Sequence, residues 1–386
     1  MCNSKKAVIV AYGRSPLARA FKGSFAKTHP VEYSSQVLQG VLAQVPSFDP
    51  ALIEDVIVGC SNPERYMGFN MARLIAQRSG LPDSVPAQTV NRFCSSGLQT
   101  IATAANAIMA GAMDVVVAGG VEMMSSISMN FPEEFQDQKL VEQIPGSYLP
   151  MGLTAELVAE RYNVSRADME IMATESHQKA AAAQAAGKFD KEIIPVTVDT
   201  ENGSVVVTAD EGIRPTTTPE MLATMKPCFK EDGIVTAATS SQMTDGAAFV
   251  LMMSEEKAQE LGLKPIAVFR GYAVGGVAAE VMGIGPIVAI PKVMDKTGLS
   301  IADMDVIELN EAFAAQALAC IRELGLPMEK VNPNGGAMAL GHPLGGTGAV
   351  LVCKALSELK RENGRFGLIS MCIGGGMGAA GIFELV

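Results

Sequence analysis

Two stretches far apart in this 386-residue sequence follow the same plan. Each has a helical cap, an acidic residue and the letters DVI opening a strand, at 48–60 (FDPALIEDVIVGC) and 299–311 (LSIADMDVIELNE). In both, the dipeptide VN follows, at 90–91 and 331–332, and leads to a Gly-rich turn, a helix and a strand ending in glycines. A βα unit that occurs twice is typical of an ancestral duplication. The sequence therefore predicts two similar halves.

Short runs of Val and Ile alternate with Ala-rich stretches of helical spacing along the chain. Runs of this kind are typical of buried strands in parallel or mixed sheets, and they read KAVIVAY, DVIVGC, DVVVAGG, DVIELN, FGLISMCIGG and GIFELV. The predicted fold class is α/β.

The segment between the halves differs in character, with a long Ala/Gln helix (SHQKAAAAQAAGKFD) and a Pro/Thr-rich run (GIRPTTTPEM). We interpret 121–234 as an inserted loop domain. The N-terminal half then comprises 1–120 with 235–262, and the C-terminal half comprises 263–386.

The net charge of −11 argues against a nucleic-acid binder or a protein of the membrane surface. The longest apolar stretch, YAVGGVAAEVMGIGPIVAIP, is interrupted by a glutamate, glycines and prolines, so we expect no membrane insertion. The first apolar run is too short for a secretion signal, and the final FELV is no peroxisomal address. These features predict a cytoplasmic protein.

The seven cysteines form no C-x-x-C pair, and with three histidines in the chain no metal site is expected. Cys94 precedes a plain helical stretch of small and apolar residues. It is either a small buried hydrophobe, as most free cysteines are, or a nucleophile whose pKa is lowered by the helix N-terminus.

Of the histidines, His29 and His177 are expected to be solvated surface residues. His342 lies in a Gly/Pro-rich turn (NPNGGAMALGHPLGGTGAV), where the backbone allows close approach of a ligand. It is the candidate for a catalytic base. Cys372 follows a strand in SMCIGGGMGAA. It is either an inert core thiol or a thiol beside backbone N–H groups that bind an oxyanion. Asn310 is a helix N-cap or a catalytic group.

Four blocks in this order, NRFCSSGLQ, NEAFAAQ, GHPLGGTGA and CIGGGMGAA, resemble the signature blocks of the thiolase family. The resemblance covers essentially the whole chain and favours the nucleophile interpretation of Cys94. It is greatest to the degradative 3-ketoacyl-CoA thiolases, because biosynthetic acetoacetyl-CoA thiolases usually carry a His where Pro150 stands. The resemblance implies a five-layer αβαβα core of two duplicated halves, a loop domain that covers coenzyme A, and a homodimer or homotetramer.

The reaction implied by the resemblance is thiolysis of 3-ketoacyl-CoA by CoA, giving acetyl-CoA and a shortened acyl-CoA without a permanently bound cofactor. Cys94 would be the acylated nucleophile. His342 would take its proton and then donate to the thioester oxygen. Cys372 would protonate the departing enolate carbon and deprotonate the incoming CoA thiol.

The resemblance also implies two oxyanion sites, one formed by His342 with a water held by Asn310. The other would use the backbone N–H groups of Cys94 and Gly374. The residues expected to contact the acyl group or CoA are Met151, Met282, Phe313, Ser241 and Lys226.

Three positions depart from the usual family pattern, and they leave the shape of the site and its neighbouring interface open: Thr239, Thr347 and Val350. The alternatives are a biosynthetic acetoacetyl-CoA thiolase, a ketosynthase-type condensing enzyme and a non-catalytic acyl-CoA carrier. Cys372 argues against the ketosynthase, which generally lacks this second cysteine.

Overall fold

A computed structural model describes residues 5–129 and 131–386. Ten of the twelve strands in this part of the chain form one sheet in the order β10-β11-β12-β9-β1-β8-β5-β3-β4, with β2 beside β8, and β6 and β7 form a hairpin. The strands are β1 Ala7–Arg14, β2 Ala18–Arg19, β3 Asp55–Gly59, β4 Ala87–Val90, β5 Val115–Met123, β6 Val196–Thr200, β7 Gly203–Val207, β8 Thr244–Ser254, β9 Ala267–Gly276, β10 Val306–Leu309, β11 Phe366–Ile373 and β12 Met377–Leu385.

The helices alternate with these strands, which confirms the α/β fold class. They are α1 Pro30–Leu42, α2 Met71–Arg78, α3 Ser96–Met109, α4 Gln138–Gln143, α5 Met151–Arg161, α6 Arg166–Ala185, α7 Pro219–Ala223, α8 Glu255–Glu260, α9 Gly285–Thr297, α10 Ala314–Leu324, α11 Ala337–Leu340 and α12 Leu344–Glu362. None of the helices in the described residues is long and apolar enough to cross a membrane.

The sheet itself shows the duplication. In the first half β3 pairs parallel with β4 and β5, and β8 pairs antiparallel with β5 and β1. In the second half β10 pairs parallel with β11, which is followed by antiparallel β12 and β9, and Ile307 forms a parallel bridge with Val331 where the first half has β4. The two VN dipeptides thus occupy equivalent places. Two residue pairs join β1 to β9 between the halves.

The plain helix after Cys94 is one of two central helices, α3 and α12, which pack on each other and on strands of both halves. A Cβ on Gly97 would lie 2.8 Å from the backbone nitrogen of Ala349, and one on Gly348 would collide with the backbone of Leu98. Small residues are needed because the two backbones touch. α1 packs on β8 and β1, and α9 packs on β9 and β12, as outer layers.

The inserted segment is attached to the first half through a buried arginine. Arg14, at the end of β1, pairs with Glu192 at 2.8 Å and with Asp210 at 2.8 Å, and all three side chains are buried. Such a network is costly to break, because loss of one partner leaves a buried charge without compensation. The proposed boundaries of the three domains stay predictions.

The expectation that His177 is solvated is wrong. Its side chain is 3% exposed within α6, and its Nδ1 accepts the backbone N–H of Arg214 at 3.1 Å. Burial, followed by the charge of Arg214, lowers the pKa of His177 to about 4. The polar residues around His177 suggested a solvated position, but the segment at Arg214 covers the side chain, and α6 also packs on α10 and α11 of the C-terminal half. His29 is exposed, as expected.

The low pKa of His177 gives a prediction on acid stability. Because the unfolded chain takes up this proton near pH 6.5 and the folded chain near pH 4, His177 stabilises the fold above pH 6.5 and this contribution is lost as the pH falls towards 4. His177→Asn keeps an acceptor for the N–H of Arg214 but has no group that titrates. Over this pH range we expect the free energy of unfolding to fall by up to about 3 kcal/mol more in the wild type than in the variant. Urea unfolding at pH 7 and pH 4.5 measures the difference, and equal losses in the two proteins would contradict the assignment.

Candidate active site

Cys94 lies in a single 3-10 turn, Phe93–Ser95, directly before α3. Phe93 has a φ of 43°, in the left-handed region, and its N–H donates to Asn91 Oδ1 at 2.8 Å. Ser96 Oγ accepts the N–H of Arg92 at 2.8 Å and donates to the carbonyl of Phe93 at 2.7 Å. These bonds fix the sharp turn that presents the thiol at the helix N-terminus.

Two of the Cys94 partners expected from the sequence come from the end of β11 and the turn after it. The Cys94 turn, Phe93–Ser95, packs against β11, which ends in Cys372 and Ile373. The backbone N–H of Gly374 favours the Cys94 thiolate, and a charge on Cys94 raises the pKa of Cys372. A Cβ on Gly374 would lie 3.7 Å from the sulfur of Met151 and 3.8 Å from the ring of Phe93. Cys94, Cys372, Gly374 and Met151 therefore form one cluster.

The expected lowering of the Cys94 pKa is wrong in sign. Burial raises the pKa of Cys94 to about 11, and the negative charge of Glu122 raises it further. The backbone N–H groups of Gly374 and of Cys94 itself favour the thiolate, but burial outweighs them. Burial also raises the pKa of Cys372 well above its usual value. Burial thus favours the thiol over the thiolate at both cysteines.

His342 forms a second cluster with Asn310. Its side chain is 4% exposed, its Nε2 lies 3.3 Å from Nδ2 of Asn310, and its Nδ1 lies 2.5 Å from Oγ1 of Thr347. Burial lowers the pKa of His342 to about 4, so the ring is neutral. With the Asn310 amide donating to Nε2, the Nδ1–H donates to Thr347 and Nε2 is the basic atom.

Asn310 is not a helix N-cap, because α10 begins at Ala314 with Phe313 as its N-cap. Its carbonyl oxygen Oδ1 is buried and has no hydrogen-bond partner among the described residues. A buried acceptor without a partner is costly, and it fits the expectation that Asn310 holds a water. Next to it, Glu311 accepts from Ser176 at 2.7 Å and from Asn332 at 2.9 Å, which ties this loop to α6.

Thr347, which the sequence marked only as a departure from the family pattern, contacts the ring of His342. The Thr347 hydroxyl holds the His342 ring from the first turn of α12. The spacing of a hydroxyl five residues after the histidine, across a helix start, could have signalled this role. Thr239 makes a local turn with Thr236, and Val350 is a buried core residue of the central helix α12.

The Thr347 contact can be tested by removing the hydroxyl alone. Thr347→Val leaves the buried Nδ1–H of His342 without an acceptor, which costs about 1–3 kcal/mol. We expect kcat to fall about tenfold or more with little change in KM, and Thr347→Ser to restore it. The measurement is steady-state turnover of the three proteins in the thiolysis reaction that the resemblance implies, and a Val variant as fast as the wild type would remove Thr347 from the site.

The remaining predicted contact residues divide into two groups. Ser241 donates its N–H to the carbonyl of Ala312, and Met282 and Phe313 are buried in one apolar cluster, so these three lie around the Asn310 loop. Lys226 is exposed on the loop domain, and no described contact links it to the catalytic clusters. Phe229, which the sequence did not single out, stacks edge-on against Phe313 with 5.9 Å between ring centroids and packs over Gly152.

Two family models match consecutive parts of the chain, the thiolase N-terminal domain over residues 7–256 and the thiolase C-terminal domain over residues 263–385. The chain belongs to the thiolase family. This thiolase is an acyltransferase enzyme, and the five-layer fold with two duplicated halves follows from the same membership and from the observed sheet.

Relatives of this thiolase match it over nearly its whole length. It is 51% identical to the 3-ketoacyl-CoA thiolase of Bacillus subtilis, covering 99% of this chain and 100% of the relative. It is 48% identical to the peroxisomal 3-ketoacyl-CoA thiolase A of Mus musculus, covering 98% and 90%. Among solved structures, the acetyl-CoA acetyltransferase of Bacillus anthracis matches with a TM-score of 0.92 and 40% identity, and each chain is fully covered.

All six cysteines in the described residues are free, whereas Cys2 lies outside them. No group of three His, Cys, Asp or Glu side chains in residues 5–129 and 131–386 is arranged to hold a metal.

Proposed function

We propose that this thiolase cleaves 3-ketoacyl-CoA with CoA to acetyl-CoA and a shortened acyl-CoA, through an acyl-Cys94 intermediate, and also catalyses the reverse condensation. The observation that carries the proposal is the packing of the Cys94 turn against β11, which places Cys372 and Gly374 beside that turn. Two thiols at one carbon suit a reaction that needs a nucleophile and a separate acid for the leaving carbon.

In the first half-reaction, Nε2 of His342 takes the proton of Cys94 as the sulfur attacks the C3 ketone carbon. The C2–C3 bond breaks and its electron pair goes to C2, which takes the proton of Cys372, so acetyl-CoA leaves. The raised pKa of Cys372 keeps this acid protonated until the carbanion forms. Neutral His342 is ready to accept a proton.

In the second half-reaction, the Cys372 thiolate takes the proton of the CoA thiol, which attacks the acyl-Cys94 thioester. The Cys94 sulfur leaves and recovers its proton from His342. The N–H groups of Cys94 and Gly374 would bind the oxygen of the tetrahedral intermediate, and His342 with a water on Asn310 would bind the enolate oxygen; loss of one such donor typically costs about 10²–10³ in rate. We assign the contacts with the acyl chain and CoA to Met151, Met282, Phe313, Ser241 and Lys226.

The test is kcat/KM with acetoacetyl-CoA and with 3-ketoacyl-CoAs of increasing length. Higher values for the longer substrates support the degradative function, which relatives at 51% and 48% identity carry in their names. The alternative, an acetoacetyl-CoA thiolase working mainly in the biosynthetic direction, is favoured by the name of the solved structure at 40% identity. It predicts a preference for acetoacetyl-CoA, and apolar walls discriminate by about 1–3 kcal/mol per methylene.

We further propose a homodimer or homotetramer in the cytoplasm. Three aromatic side chains, Phe21, Tyr66 and Phe69, are 58%, 59% and 89% exposed, and β4 forms an edge of the sheet. Exposed apolar patches and unpaired edge strands are common at interfaces. Light scattering tests the assembly, and cell fractionation tests the location.

A further inference from the structure

A buried carboxylate joins the two halves of the molecule near the catalytic clusters. Glu122, near the end of β5, is fully buried. Its Oε2 accepts the N–H of Ser61 at 2.9 Å and of Gly345 at 2.7 Å, and its Oε1 accepts the N–H of Asn62 at 3.1 Å. Ser61 and Asn62 belong to the loop after β3, whereas Gly345 lies in the first turn of α12. One side chain therefore binds segments from both halves.

On the side of the first half, the hydrogen bonds continue to the nucleophile. The carbonyl of Ser61 accepts the side-chain amide of Asn91 at 2.9 Å, and Oδ1 of Asn91 accepts the N–H of Phe93 at 2.8 Å. Phe93 is the strained residue directly before Cys94. The position of the thiol is thus linked to Glu122 through one backbone group and one side chain.

On the side of the second half, Glu122 binds the start of the helix that orients the base. Gly345 is two residues before Thr347, whose hydroxyl holds His342. The free N–H groups at a helix start and the helix dipole both favour a carboxylate there. A shift of this turn moves the imidazole with it.

We propose that Glu122 is a positioning residue of the reaction, a buried carboxylate that fixes the Cys94 turn relative to the His342 turn. This proposal rests on the function proposed above for those two residues. Glu122 takes no part in either half-reaction. Its hydrogen bonds offset the free-energy cost of burying its charge.

The charge of Glu122 also acts on Cys94, because it favours the thiol over the thiolate. Three other titratable groups lie around Glu122. The sulfur of Cys60, after β3, is 3.9 Å from Oε1, and Tyr33 on α1 donates its hydroxyl to the Glu122 carbonyl at 2.8 Å. The third is Asp245 on β8. Burial raises the pKa of Cys60 and of Tyr33, so both stay neutral. Burial raises the pKa of Glu122 to about 7, whereas its three N–H donors lower it. Its charge is therefore present above neutral pH.

The test is Glu122→Gln, which keeps the shape but removes the charge and turns one acceptor into a donor. We expect kcat to fall about 10- to 100-fold, as for small misplacements of reacting groups, with KM for CoA changed less than about twofold. The pH midpoint of Cys94 alkylation by iodoacetamide should fall by about half a unit or more. This readout needs no thiolysis, so it stands even if the proposed function fails.

The matched control is Glu156→Gln. Glu156 is also a buried carboxylate that binds backbone, accepting the N–H groups of Ile234 and Val235 at 3.0 and 2.9 Å. It should lose stability without moving the alkylation midpoint of Cys94. An unchanged midpoint in folded Glu122→Gln, or an equal shift in both variants, would overturn the role of the Glu122 charge.

A second variant tests the hydrogen-bonded link itself. Asn91→Ala, at an exposed position, should lower kcat about tenfold, and the double variant with Glu122→Gln should lose less than the product of the single losses. Losses that multiply would show that the two residues act independently, and the proposal would be wrong. If Glu122→Gln does not fold, a wild-type kcat in Asn91→Ala alone would equally contradict the link.

Discussion

Cys94→Ala should abolish thiolysis, with a loss in kcat of at least about 10⁴-fold. The alanine has no sulfur to form the acyl intermediate, and in the proposed mechanism Cys372 supplies the proton for C2 and does not attack the C3 carbon. The measurement is consumption of acetoacetyl-CoA in the presence of CoA, together with mass spectrometry after incubation with acetyl-CoA. The wild type should gain one acetyl group and the variant none.

Cys94→Ser is the control for this experiment, because it preserves size and hydrogen bonding but has a much weaker nucleophile. It should bind CoA as the wild type does while turning over slowly. Substantial acylation of the alanine variant at another residue would refute the assignment of the nucleophile.

Cys372→Ala should separate the two chemical steps. Acylation from acyl-CoA needs Cys94 and His342, and we expect it to continue slowly. Cleavage of 3-ketoacyl-CoA needs a proton for C2, and without the thiol it should fall by about 10²–10⁴-fold, the usual contribution of general acid–base catalysis. Single-turnover acylation and steady-state thiolysis, measured on the same preparation, give the two rates.

A buried cysteine offers a matched control for Cys372. Cys353 is equally buried, in the interior of α12, and Cys353→Ala should leave both rates near those of the wild type. If Cys372→Ala cleaves 3-ketoacyl-CoA at the normal rate, the assigned acid is another group.

The sequence predicted the fold class and the duplication, because both follow from local motifs and their repetition. It also named residues that the structure brings together around Cys94 and around His342, and their catalytic roles stay predictions. The predicted direction for the pKa of Cys94 was wrong. A helix start is visible in the sequence, but the burial that outweighs it comes from distant segments, among them β11 and α12, that pack on the Cys94 turn. The same reason explains His177, whose polar neighbours in sequence do not reveal the distant segments that cover it.

Glu122 was missed although its signal was present. Glu122 is an acidic residue within the otherwise apolar strand sequence VVVAGGVEM, and a charge buried in a strand needs hydrogen-bond or ionic partners. Those partners come from residues 61, 62 and 345, and no local pattern could have named them. Thr347 was likewise noted in the sequence, but its contact with His342 could not be predicted from it.

The direct contact between the central helices has a consequence for how this enzyme tolerates change. The Cys94 turn and the His342 turn each lead into one of these helices, and main-chain atoms meet at Gly97 and Gly348 without intervening side chains. The separation of the Cys94 turn and the His342 turn is thus set by direct backbone packing of the two helices, which substitution of side chains elsewhere changes little. A methyl group added at either glycine would push the two helices apart. In a library of variants, we expect alanine at these two positions to abolish catalysis in proteins that still fold.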